Sequence, residues 1–308
     1  MEAATTAKAA GLVLAAMALI GLIDTYVYVI AADAGLGQFH MVRAVIAIAL
    51  LWVFARTTGI SLRIHNSVRV AIRSLVLAVS MVIYFGALAF LPVASVAAGL
   101  FTAPIFVLLI SVIVLRQRVG WRRILAVAFG FAGILLVLRP DSSAIGLWVF
   151  APVLGGLFYA SAAVITRHWC ADETTPALLF GFFTALFVLG GAASLLLGLS
   201  DHVVPTGQAG FVLRSWGSLG GPAWFWIFGQ AVGSCIGVGL ITRAYQTADT
   251  SAVAIFEYSL LISAAIWGFF LRSQTLDAPA VLGMAMIVAA GTVLALRGGT
   301  PGALRTPT

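Results

Sequence analysis

The chain has 308 residues, 62% of them hydrophobic and 9% charged, and its mean hydropathy is +1.12. A soluble domain carries about 25% charged residues, and surface-to-volume scaling leaves no interior able to hide this much apolar side chain; a soluble globular protein is excluded, and lipid must solvate part of the surface. The formal charge of +7 does not indicate nucleic acid: Arg116, Arg118, Arg122 and Arg123 lie in or beside a short loop between apolar runs, where cytoplasmic positive charge gathers in membrane proteins.

A helix crossing a bilayer needs roughly 20 apolar residues, with a range of about 17 to 25. Ten such stretches follow one another at 9–31, 41–57, 70–90, 93–115, 122–138, 144–166, 176–198, 223–244, 251–271 and 278–297. They predict an all-α membrane protein of ten transmembrane helices. The first follows Lys8 with no convincing cleavage site and reads as a span rather than a removed leader. It carries Asp24, with Tyr28 on the same face at i,i+4 spacing. An intramembrane acid is costly and usually faces the bundle interior or a cavity. Asp24 is therefore a candidate for a substrate amine or a proton, with helix–helix hydrogen bonding as the alternative. Arg43, at the start of the second span, could bind a carboxylate or snorkel to the interface, and the latter is favoured.

Farther on, Tyr84 in the third span, Phe101 in the fourth and Tyr159 in the sixth offer apolar area, and the tyrosines add a hydroxyl. A bound cation could use a ring face; equally, such rings pack against lipid or another helix. In the fourth span Pro104 is expected to remove an i→i−4 bond inside a helix, and with Gly99 it forms a candidate hinge. The longest connection runs from Leu199 to Pro222. In the eighth span Gln230 and Ser234, one turn apart, can bond a carboxylate or hydroxyl. The ninth holds Phe256, Glu257 and Tyr258. Glu257 is the most informative residue: a carboxylate in an apolar helix, suited to an ammonium group or a proton, or else bonded to Tyr258 or a neighbouring helix.

Placing the N-terminus in the cytoplasm puts 13 of the 17 lysines and arginines on that side, Arg73 among them, and leaves Arg43, Arg139, Arg214 and Arg272 opposite. This fits the positive-inside rule, and an even number of spans returns the C-terminus to the same side. The segment 89–97 resembles 245–253 at an offset of 156; Ala132-Gly133 and Leu138-Arg139 match Ala290-Gly291 and Leu296-Arg297 at an offset of 158. Five spans per repeat would invert one half relative to the other, an arrangement common in alternating access. The expected domains are 1–140 and 141–298, followed by a cytoplasmic tail at 299–308.

These features converge on a family. The run Ala87-Leu88-Ala89-Phe90-Leu91-Pro92-Val93-Ala94-Ser95-Val96-Ala97, continuing through Pro104-Ile105-Phe106 to Arg116-Gln117-Arg118, resembles the fourth-span region of the drug/metabolite transporter superfamily, in its ten-span members with two EamA domains. Leu125 to Leu138, with Gly130 and Gly133, is similar to the family's fifth span, and Ala244-Tyr245 through Ser251 and Ala254 to Gly268 resembles the second half. Arg116 and Arg118 stand where the family often has an acid, and Leu260 where the first half has Pro104. The resemblance implies a basket of helices around a central cavity, with spans five and ten as peripheral supports.

The function expected is secondary transport of small metabolites across a bacterial inner membrane. Neutral or aromatic amino acids are the favoured substrates, export the favoured direction, and proton coupling is carried by Asp24 and Glu257. Movement of cationic metabolites or drugs is the alternative within transport; a membrane scaffold or lipid scramblase is the alternative outside it. No enzyme constellation, phosphate-binding loop or metal-ligand spacing is present in the sequence, so no cofactor is expected. The partners are the lipid bilayer and a small-molecule substrate.

Overall fold

The computed structural model describes residues 2–87, 96, 99–138, 150–272 and 277–297, and all regular structure among them is helical. The helices are α1 (Glu2–Asp24), α2 (Val27–Asp33), α3 (Leu36–Thr58), α4 (Ser67–Ala87), α5 (Ala103–Ile113), α6 (Trp121–Leu138), α7 (Phe150–Trp169), α8 (Thr175–Gly198), α9 (Gly221–Thr247), α10 (Thr250–Phe256), α11 (Ser259–Arg272) and α12 (Ala278–Arg297). Among the described residues, each of the ten expected spans overlaps helix. Seven stretches are long and apolar enough to cross a bilayer, and Ala103–Ile113 and Ala278–Ala290 are shorter apolar helices. The repeat segment 89–97, apart from Val96, the 140/141 boundary, the start of the sixth stretch and the tail 299–308 lie outside the described residues.

Local chemistry sets the helix ends. Thr174 caps α8 by accepting from the Ala177 amide at 3.2 Å, and Pro176 and Pro222 occupy the first turns of α8 and α9, where a missing N–H costs nothing. Gly59 closes α3 in the left-handed conformation at φ 72°, which glycine adopts without a Cβ penalty. Breaks fall within three expected spans: the fourth is turned at Phe101–Thr102, ahead of α5, and two other breaks separate helices. The first, at Thr25–Tyr26, separates α1 from α2, and there Thr25 Oγ1 donates back to the Gly21 carbonyl at 2.7 Å. The second, at Glu257–Tyr258, separates α10 from α11.

The polypeptide packs with α1 against α9 and α11, α4 against α7 and α8, α3 against α8 and α9, and α5 against α7. α6 and α12 lie principally on each other. Gly133 permits this approach: a Cβ there would fall 2.6 Å from the Gly283 carbonyl oxygen. Outward faces stay apolar, with Leu195, Leu196, Phe225 and Phe270 exposed, as expected of helices that have lipid rather than water as their outer solvent. The protein is an integral membrane protein.

The connection between α8 and α9 folds back over the α2–α3 corner. Gln38 holds it from both directions, donating to the Gly217 carbonyl at 2.8 Å and accepting from its amide at 2.9 Å. Arg214 donates to the Ala34 carbonyl at 2.7 Å, and Phe211 is buried with Phe39 and Phe85.

Candidate functional site

Between the helices lies a cavity of about 120 Å³. Asp24, the last residue of α1, enters it beside the break, and its Oδ1 accepts from Gln230 Nε2 of α9 at 3.0 Å. Gln230 shares the same amide nitrogen with the Ile23 carbonyl at 3.1 Å. Because the chain leaves helical geometry after Asp24, the end of α1 places a carboxylate beside the Ile23 carbonyl, which also accepts from the Tyr26 amide at 3.2 Å. Glu257 stands at the other break, immediately after α10, and accepts from Tyr159 Oη of α7 at 2.7 Å. The Tyr245 hydroxyl lines the same cavity within electrostatic reach of this carboxyl, without meeting hydrogen-bond geometry to any described residue.

Two guanidinium groups also face the cavity. Arg43, 3% exposed, lies inside α3; its Nη2 is 3.2 Å from His40 Nδ1, and its charge sits 4.8 Å from the Phe39 ring centroid and 5.4 Å from that of Phe85. The expected snorkelling is therefore corrected: α3 begins at Leu36, which carries Arg43 two turns inward and turns it toward the bundle. Arg73, 2% exposed, donates from Nε to Thr166 Oγ1 at 2.9 Å, from Nη1 to the Leu178 carbonyl at 3.2 Å and from Nη2 to Thr242 Oγ1 at 3.1 Å. It is not part of the interfacial charge with which it was counted. Its signal was its position inside the stretch 70–90, where an arginine must find polar company.

Of the remaining site residues expected from sequence, Tyr84, Phe101, Ser234 and Pro104 line the cavity with Asp24, Tyr159, Gln230 and Glu257. Three do not. Tyr28 is 41% exposed, because the i,i+4 alignment with Asp24 requires a continuous helix and the break at Thr25–Tyr26 turns α2 away. Phe256 is buried in the apolar cluster of α1, α6 and α12. Tyr258 is fully buried against Phe101, with ring centroids 6.2 Å apart, and fills the space that Gly130 leaves open. Pro104 occupies the first turn of α5 rather than a helix interior, so no i→i−4 bond is lost there. The backbone turn instead lies at Phe101–Thr102, where Thr102 Oγ1 donates to the Gly99 carbonyl at 2.6 Å. Gly99 itself abuts α7: a Cβ on it would fall 2.9 Å from the Pro152 carbonyl carbon. Sequence reasoning missed Arg73 and Tyr245 as cavity residues.

Residues 7–139 match the EamA-like transporter family. The chain carries an EamA-like domain of the drug/metabolite transporter superfamily. It is 28% identical over 253 residues to a pseudopaline exporter, CntI, of Pseudomonas aeruginosa, covering 80% of this chain and 82% of the relative. A riboflavin transporter of Vibrio cholerae is 26% identical over 251 residues, covering 80% and 78%, and an S-adenosylmethionine uptake transporter of Rickettsia prowazekii is 23% identical over 219 residues, covering 71% and 68%. A solved crystal structure superimposes with a TM-score of 0.75 at 16% identity, over 94% of this chain and 99% of that one, which establishes a shared fold. Family and relatives together support transport of a small metabolite.

Proposed function

We propose that the EamA-like protein is a secondary transporter that moves an amino acid across the bacterial inner membrane by alternating access, in the direction of export. The observation that carries this reading is a cavity within the apolar bundle that gathers two carboxyls and two guanidiniums from different helices. Asp24 and Arg43 supply an acid and a base for the two ends of a zwitterion, and aromatic walls at Tyr84 and Phe85 supply apolar area. Ionisable groups in membrane interiors mark substrate paths and proton relays, and Asp24 and Glu257 are the groups assigned to proton coupling. The resemblance to a pseudopaline exporter motivates the direction.

The reading divides the ten spans into two inverted halves, 1–140 and 141–298, with both termini cytoplasmic. Packing supports the division. The contact of α1 with α9 corresponds to that of α7 with α4 when each span is exchanged for the one five places on, and that of α1 with α11 corresponds to that of α7 with α5. α3 with α8 and α6 with α12 map onto themselves. The backbone turn at Phe101–Thr102 and the break at Glu257–Tyr258 are 156 residues apart, the offset of the sequence repeat. These paired turns and Gly99 are the hinge elements of the reading. Removing the buried Arg43 and Arg73 from the charge count leaves 12 basic residues on the cytoplasmic side and 3 opposite (13 − 1 and 4 − 1).

The test is counterflow of a radiolabelled amino-acid panel in proteoliposomes, beginning with neutral and aromatic members, with Glu257→Gln measured beside the parent protein. Exchange that depends on Glu257 supports the reading. No exchange by folded protein across the panel sinks the amino-acid assignment, and exchange that ignores both an imposed pH gradient and the neutralisation of either acid sinks proton coupling.

A further inference from the structure

We infer that the cavity accepts a metabolite bearing two carboxylates, one for each buried guanidinium, so that acidic amino acids are preferred to neutral ones. The inference rests on the transport reading above and names the substrate class within it.

An imbalance of partners carries it. A buried charge ordinarily has an opposite charge against it. Arg43 and Arg73 line one cavity from neighbouring helices, yet neither has a carboxylate within 4.0 Å; among the described residues the ion pairs are His65–Glu173 and Arg123–Asp249, both outside the cavity. Arg43 leaves its Nε without a hydrogen-bond partner, and its company is a histidine nitrogen and two aromatic faces. Arg73 is held by two threonine hydroxyls and a carbonyl, which use three of the five N–H groups a guanidinium carries. These neutral partners fix the planar fork without neutralising it. A fork held in this way is suited to a carboxylate, which it can receive with two parallel bonds.

The acids complete the assignment. A carboxylate offers about four acceptor sites, so the bonds from Gln230 to Asp24 and from Tyr159 to Glu257 leave room for an ammonium donor. Asp24 lies within electrostatic reach of Arg43, and together they take the α-ammonium and α-carboxylate of an amino acid. Arg73 lines the cavity near Tyr159, whose neutral hydroxyl donates to Glu257; it takes the second carboxylate. A neutral amino acid would leave Arg73 uncompensated.

Counterflow in proteoliposomes, with radiolabelled glutamate, glutamine and leucine as probes, tests this directly. The expected result is glutamate exchange at least about tenfold more efficient than glutamine exchange, with unlabelled glutarate competing for glutamate. Arg73→Gln should collapse that ratio toward one by slowing glutamate the more. If Arg73→Gln does not fold, Arg73→Lys keeps the charge and loses the fork; it should raise KM for glutamate more than for glutamine. Glutamine or leucine exchange equal to or faster than glutamate exchange overturns the inference and leaves the transport reading standing. A glutamate preference indifferent to both substitutions also overturns it. Exchange of none of the three probes by folded protein overturns this inference, and the amino-acid reading falls with it when the aromatic members of the panel are inert as well.

Discussion

Charge is handled in opposite ways at the membrane face around Glu173 and in the cavity between the helices. At the face, Glu173 accepts from the His65 amide at 3.0 Å and the Asn66 amide at 2.7 Å, and pairs with the His65 ring at 3.2 Å. Gln246 ties the end of α9 to the Glu173 carbonyl at 2.7 Å and to the Cys170 carbonyl at 3.1 Å. Nearby, Asp249 caps α10 through the Ser251 and Ala252 amides and meets Arg123 at 3.0 Å. Every one of these groups closes a helix end or joins two connections. In the cavity the acids accept from neutral side chains, and neither guanidinium has a carboxylate within 4.0 Å among the described residues. Saturated polar groups stabilise one arrangement; partly satisfied ones inside a membrane are held ready for something that arrives.

This contrast predicts that substitutions in the two regions separate transport from stability. The largest transport effect should come from Glu257→Gln: at least about a tenfold loss of exchange, with a thermal melting temperature close to that of the parent, because glutamine retains an acceptor for Tyr159. Exchange at parent rates would place Glu257 with the structural acids.

Glu173→Gln should do the reverse, lowering stability by about 1–2 kcal/mol because the amide keeps one acceptor oxygen for the His65 and Asn66 amides but replaces the other, and with it the charge facing the His65 ring, by a donor, read by chemical or thermal unfolding in detergent, while exchange by the folded fraction is preserved. Burial alone would raise the Glu173 carboxyl, but the bonds from His65 and Asn66 outweigh it and hold the group below the ordinary glutamate value. A depressed carboxyl contributes stability that is fully present above that ordinary value and is lost as pH falls through the lowered one. The parent should therefore lose stability more steeply than Glu173→Gln on acidification below about pH 4.5. Parallel losses would show that the carboxylate charge contributes nothing there.

Smaller again is Arg123→Ala. Its ion pair with Asp249 is part-exposed, with side chains 29% and 39% accessible, so the expected cost is about 0.2–1 kcal/mol and should shrink in high salt. Tyr28→Phe should have the smallest effect on transport, leaving exchange unchanged, because α2 carries this ring away from the cavity. A large transport defect there would restore it to the Asp24 site.

The fold was legible because lipid imposes one strong constraint: apolar runs of bilayer length must be helices. Among the described residues, helix overlaps every one of the ten stretches. The cavity acids Asp24 and Glu257 were legible for the related reason that a carboxylate is too costly to leave facing lipid. Tyr28 failed because period alone assumes an unbroken helix, and Thr25 gave no warning of the break. Arg73 was in plain view, but its place near the end of a predicted stretch made it look interfacial; depth depends on the helix start, which hydropathy fixes only loosely. Tyr258 and Phe256 shared the chemistry of cavity residues, and only the rotation of α10 and the turn after it assigned them to the core.

The account rests on the cavity being reached from both sides of the membrane in turn, and labelling at Ser234 measures that directly. With Cys170 and Cys235 replaced by alanine, Ser234→Cys provides a single thiol at the cavity wall. A membrane-impermeant thiol reagent should modify it from either face of oriented vesicles, more slowly when a transported amino acid is present. Modification from one face only, or from neither, in vesicles that still exchange solute would contradict alternating access through this cavity.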